Sequence, residues 1–143
     1  MATNLRALMH LTALAAPHLI KTKGSIVNIS SVAATSVPKA LASAAYYISK
    51  AALNQFTRCS ALELAPYGVR VNSISPGPVR TDIFENAGID NLVSIDDMAK
   101  LTALKRASDP EEIADLIMYL SSDKAKSTTG SDYVTDNGFL LLN

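Results

Sequence analysis

Three short runs rich in β-branched residues divide this chain: Ser25-Ile26-Val27-Asn28-Ile29, Val69-Arg70-Val71-Asn72-Ser73-Ile74, and Gly130-Ser131-Asp132-Tyr133-Val134-Thr135-Asp136. Each follows a longer stretch whose apolar residues recur at helical spacing. Strands that alternate with helices imply parallel pairing, because a parallel neighbour is reached only through a long crossover. The pattern predicts an α/β fold: a parallel sheet covered by helices, with right-handed crossovers. At 143 residues a single domain is expected, long enough to bury roughly two-thirds of its unfolded surface. No internal repeat or second domain is visible.

The helical stretches have readable ends. Across residues 3–20, Leu5, Leu8, Met9, Ala15 and Leu19 recur at helical spacing. Asn4, Leu8, Leu11 and Ala15 share one face, which puts Asn4 at the buried end of that helix. Gly24 breaks the chain, and Ser30 to Ser43 reads as a loop of small residues. A second helix is predicted from Ala44 to about Ala65, closed by Pro66-Tyr67-Gly68. Ser75-Pro76-Gly77-Pro78 should stop the second strand. Residues 82–107 read as irregular with short helices. Asp109-Pro110-Glu111-Glu112 is a helix start, with Asp109 as N-cap, Pro110 first inside and Glu112 closing a capping box. That helix should run to about Ser122.

Composition removes several classes of function. Acidic and basic residues balance at 13 each, which argues against a nucleic-acid or polybasic membrane surface. The single cysteine, Cys59, excludes an internal disulfide framework and a multi-cysteine zinc site; it is expected to be buried packing. His10 and His18 have no acidic partner at ligand spacing, so no metal site is expected. Leu5 to Ile20 is apolar but interrupted by Arg6, His10, Pro17 and His18, and is shorter than the ~20 residues of a membrane span. The N-terminus lacks the basic start and apolar core of a signal peptide. A cytoplasmic location is the expectation.

Tyr46 and Lys50 are four apart at the start of the second helix and stand on one face. A lysine beside a phenol favours the phenolate and tunes the tyrosine for acid or base work between an alcohol and a ketone. Tyr47 has Ala51 at the same spacing, so only Tyr46 has the partner. Ligands of open α/β sheets bind at the carboxyl ends of strands, and Ser31, Tyr46 and the Pro76–Thr81 loop fall on that edge. A serine hydrolase is disfavoured, since Gly-x-Ser-x-Gly is absent.

Together these stretches resemble the short-chain dehydrogenase/reductase family, of the single-domain type that includes 3-oxoacyl-carrier-protein reductases. The matching segments are Asn4-Leu5-Arg6, Gly24 to Ser31, Tyr46 to Lys50, Ala61 to Ala65, Arg70 to Thr81 and Thr129 to Gly138. The resemblance implies a Rossmann-like doubly wound parallel sheet, NAD or NADP as cofactor, and a small-molecule carbonyl or alcohol as substrate. It also implies a homo-oligomer, a dimer or tetramer built through the long helix. Tyr46 would be the catalytic acid/base, with Lys50 tuning it and binding the nicotinamide ribose. Ser31 would hydrogen-bond the substrate oxygen, and the Asn4 backbone carbonyl would anchor a proton-relay water. Pro76, Gly77, Val79 and Thr81 would contact the nicotinamide. Residues after Thr81, among them Ile83 and Leu92, correspond to the family's lid.

Three departures stand out. Ser31 to Tyr46 is two residues longer than the usual family spacing, which leaves Ser30, Ala33 and Ser31 as formal candidates. Ser31 is preferred because it ends the strand and lies 27 residues from Asn4, as in the family. The extra residues then fall around Val37-Pro38-Lys39. Asp136-Asn137-Gly138 replaces a double glycine, and asparagine tolerates the same left-handed backbone. Last, neither a Gly-x-x-x-Gly-x-Gly turn nor an Asn-Asn-Ala-Gly segment occurs. The chain is therefore expected to be the C-terminal, catalytic half of such a fold, poorly stable alone and weak in NAD(P) binding. The alternative is a non-catalytic fragment or paralogue that acts, if at all, by associating with full-length subunits.

Overall fold

In the computed structural model, which describes residues 1–38, 43–89 and 91–142, the predicted order of elements is observed. A five-residue π-turn, Ala2–Arg6, leads into α1 (Ala7–Thr22). Then come β1 (Ser25–Ile29), α2 (Ala44–Leu64) and β2 (Arg70–Pro76). Two short helices follow, α3 (Ile83–Asn86) and α4 (Ile95–Lys100), before α5 (Pro110–Ser121) and β3 (Asp132–Thr135). The strands lie in the order β1-β2-β3, both pairs parallel.

Helices cover both faces, so the sheet is doubly wound. On one face, Ala61, Leu64, Val69 and Val71 form a buried cluster, with Ala16, Leu19, Ile20 and Ile26 packed on it, which seats α1 and α2. On the other, Ile74, Ile113, Leu120 and Ala125 gather Val27, Val79, Leu116 and Tyr133 under α5. The split follows the strand period of two: Val71 faces one layer and Ile74 the other.

Polar contacts set how α2 lies on the sheet. Asn28 Nδ2 donates to Thr57 Oγ1 at 2.9 Å. Asp132 accepts from Asn54 Nδ2, Ser73 Oγ and Ser75 Oγ, each at 2.8 Å. Directional bonds of this kind fix the axial position of a helix in a way that interchangeable apolar contacts do not.

Two expectations need correction. The second strand does not stop before Pro76; it pairs through Pro76 with Thr135. In β2 the odd-numbered N–H groups face β3, as Ser73 N to Ser131 O and Gly77 N to Thr135 O show, and the even-numbered ones face β1. Pro76 falls on the β1 side, beyond the last bond of that ladder, Ser30 N to Ile74 O, so its missing N–H breaks no bond to β3. Cys59 is exposed, not buried, because α2 turns Leu53, Thr57, Ser60, Ala61 and Leu64 toward the sheet and Cys59 away. Lys39, part of the expected two-residue extension, lies outside the described residues.

Candidate active site

The site is built on the carboxyl end of β1 and the first turns of α2. Where β1 ends, Ser30 N donates to Ile74 O at 2.7 Å, which holds the strand end against β2. Buried Ser30 then donates through Oγ to Lys50 O at 3.3 Å. Ser31, in extended backbone at φ −170°, caps a single 3-10 turn, Val32–Ala34. Its Oγ accepts the Ala33 N–H at 3.2 Å, which leaves the hydroxyl proton free to donate outward.

Lys50 is fixed at both ends. While Ser30 holds its backbone carbonyl, its Nζ donates to Ile29 O at 2.8 Å. The same Nζ lies 5.7 Å from the centroid of the Tyr46 ring. Burial at this position pushes the Lys50 ammonium below its usual pKa, since a charge in a low-dielectric site is disfavoured. Tyr46 packs edge-to-face on Tyr47, with centroids 6.2 Å apart.

Asn4 reaches the same helix from the other side. The π-turn, in which the N–H groups of both Leu5 and Arg6 converge on Met1 O, presents the Asn4 side chain to α2. Asn4 Nδ2 donates to Ser49 Oγ at 3.2 Å, and Ser49 Oγ donates to Tyr46 O at 2.6 Å. A chain of bonds thus runs from Asn4 through buried Ser49 to Tyr46. No sequence pattern singles out Ser49. It sits on the inner face, three residues after Tyr46, but its partner Asn4 is 45 positions away and nothing local points to it.

The loop after β2 lies on the same edge of the sheet. Gly77 is required there by close approach: a Cβ would stand 2.8 Å from Asp136 Cα. Val79 packs its side chain into the cluster under α5, so only its backbone is available at the edge. Thr81 is exposed, and Arg80 pairs with Asp96 of α4 at 3.1 Å. Ile83 and Leu92 beyond it are also exposed. Among the described residues, a cleft of about 330 Å3 lies near Arg70 and Lys126 and one of about 220 Å3 beside Tyr47. Neither is lined by Tyr46 or Lys50. Among the described residues no group of metal-ligating side chains occurs, and no helix is long and apolar enough to cross a membrane.

A doubly wound parallel sheet with a tyrosine–lysine pair, a serine and an asparagine gathered around the end of one strand defines a class of α/β protein. Comparison with known proteins narrows it. Residues 1–140 match the family model described as Enoyl-(Acyl carrier protein) reductase. A 3-alpha-(or 20-beta)-hydroxysteroid dehydrogenase of Mycobacterium bovis is 39% identical over 116 residues, covering 81% of this chain and 41% of the relative. Among solved structures, a 4-hydroxyisoleucine dehydrogenase complexed with NADH superposes with a TM-score of 0.82 at 37% identity, over 96% of this chain and 56% of that one. A short-chain dehydrogenase/reductase of unknown function from Caenorhabditis elegans, with cofactor, gives 0.83 at 37% identity, over 98% and 54%. The chain belongs to the short-chain dehydrogenase/reductase family. It spans about half the length of the relatives it matches.

Proposed function

We propose that this chain carries the catalytic side of an oxidoreductase that interconverts an alcohol and a carbonyl on a small molecule, with NAD or NADP. The observation that carries the reading is Lys50, anchored at both ends with its ammonium over the Tyr46 ring. In this reading Tyr46 takes the proton from the substrate hydroxyl in oxidation and returns it to the carbonyl oxygen in reduction. Lys50 sets positive charge beside that ring and so stabilises the phenolate left when the proton departs. Ser31, its oxygen already engaged by Ala33 N, points its proton at the substrate oxygen. The Asn4 backbone carbonyl anchors a water through which protons reach solvent.

The donor set at the edge fits a nicotinamide ribose. Lys50 Nζ has three N–H groups and spends one on Ile29 O, leaving two for ribose hydroxyls. Pro76, Gly77, Val79 and Thr81 supply the loop beside the nicotinamide, Val79 through its backbone alone. The dinucleotide, when bound, gives or accepts the hydride. The NADH complex of the 4-hydroxyisoleucine dehydrogenase supports this class of cofactor. We also read the chain as cytoplasmic and as a homo-oligomer, a dimer or tetramer; exposed Leu11 and Leu14 of α1 and Ile48 and Leu62 of α2 support self-association.

The test is turnover at 340 nm with NAD and NADP over a panel of secondary alcohols. Tyr46→Phe should lower turnover by roughly 10²–10⁴-fold, the usual size of a general acid–base contribution. A Tyr46→Phe variant as active as the parent would sink the reading.

A further inference from the structure

Asn137 holds a backbone conformation that glycine adopts freely and asparagine tolerates. Its φ is +51°, in the left-handed region, and Gly138 follows at +76°. What the asparagine gains is a bond: Nδ2 donates to Ser108 Oγ at 2.9 Å. Ser108 is buried, and its backbone makes both bonds of a bridge to the loop after β2. Ser108 N donates to Pro78 O and Arg80 N donates to Ser108 O, each at 2.9 Å. On its other flank the loop is held by Gly77 N donating to Thr135 O at 3.0 Å. Asp136 fixes the turn that carries Asn137 by accepting from Gly138 N and Leu140 N. A carboxamide that reaches a buried anchor from a position glycine could fill points to a role for that side chain.

We propose that Asn137 is a positioning residue for the Pro76–Thr81 loop: through buried Ser108, its carboxamide locks Pro78–Arg80 against the end of β3. The bond lattice stands on its own; only the loop's service to a nicotinamide cofactor rests on the function proposed above.

Amide hydrogen exchange on the 143-residue chain tests it. Asn137→Gly should speed exchange of the Arg80 and Ser108 amides roughly five-fold, the factor for one lost hydrogen bond, and leave the Asn28 and Ser73 amides unchanged. Ser108→Ala should do the same, and the double variant should add nothing further, because both remove one interaction. Asn137→Asp, which can accept the Ser108 hydroxyl proton, should restore most of the protection. Arg80 and Ser108 amides within about two-fold of the parent in Asn137→Gly, or an equal rise at all amides, would overturn the proposal. In turnover, Asn137→Gly should raise KM for the dinucleotide more than it lowers kcat. A parent chain with no turnover counts against the functional reading alone, and exchange then decides this one.

Discussion

Lys50 shows how much the site owes to single side chains. Its ammonium is partly stripped of water, and burial lowers its pKa from 10.5. The unfolded chain therefore binds more protons than the folded one between the lowered value and 10.5. Below the lowered value the cost of burying the charge is fully present; as pH rises toward 10.5 it disappears. Lys50→Met keeps the stem and removes the charge. It also loses the Nζ bond to Ile29 O at every pH, so the pH trend is the readout: the parent's urea midpoint should rise relative to the variant's as pH climbs toward 10.5. A midpoint difference that is flat with pH would show that burial of the charge is not what the folded state resists. The Tyr46–Lys50 pair is legible in the sequence because four residues is one helical turn. The bonds that hold it are not. Asn4 to Ser49 joins the turn before α1 to the second turn of α2, and Lys50 Nζ to Ile29 O joins a side chain to a backbone atom of β1. Both depend on how elements stack.

Among the elements, α5 is the most legible, and it forms as its first residues dictate. Glu112 Oε2 accepts the Asp109 N–H at 2.9 Å, closing the predicted capping box around Pro110. Glu112 also has a second partner that no local motif announces. The Arg106 guanidinium grips both its oxygens, with Nη1 to Oε2 at 2.7 Å. The Arg106 hydrogen bonds first, then the Asp109 N–H, pull the Glu112 carboxyl from 4.5 down to about 2. A carboxyl lowered in the folded state stabilises it above the unfolded value, and that contribution is lost as pH falls toward 2. Glu112→Gln should unfold at lower urea than the parent above pH 4.5, and the two midpoints should converge by pH 2. Parallel loss of stability in both chains would show that the carboxylate is not the group responsible. By contrast, the end of β2 resists reading because proline is usually a strand breaker. What decides its fate is which neighbour its missing N–H would have faced, and that depends on strand parity and on where β1 ends.

At the scale of the whole molecule, the β1 edge of the sheet carries exposed backbone chemistry. Among the described residues β1 pairs with β2 alone. Its even positions are used: Arg70 N donates to Gly24 O and Ser30 N donates to Ile74 O. The N–H groups of Ser25, Val27 and Ile29 therefore point away from β2, and Ile29 is 40% exposed. A row of outward N–H groups beside apolar side chains is a template for another strand, even with the Ile29 carbonyl taken by Lys50 Nζ. Alternating strands and helices make the parallel order readable, but an edge is a property of the assembled sheet and no run of residues announces it. Proline separates the two roles of this strand, because it removes an N–H without altering the opposite side. Ser25→Pro, at the first residue of β1, takes no ladder bond from β2 and gives up one side-chain contact, Ser25 Oγ to Leu120 O at 3.4 Å. Its far-UV circular dichroism should match the parent, while aggregation followed by light scattering at equal concentration should slow several-fold. If Ser25→Pro aggregates as fast as the parent with its helical signal intact, association runs through another surface, and the exposed leucines of α1 and α2 are the next to change.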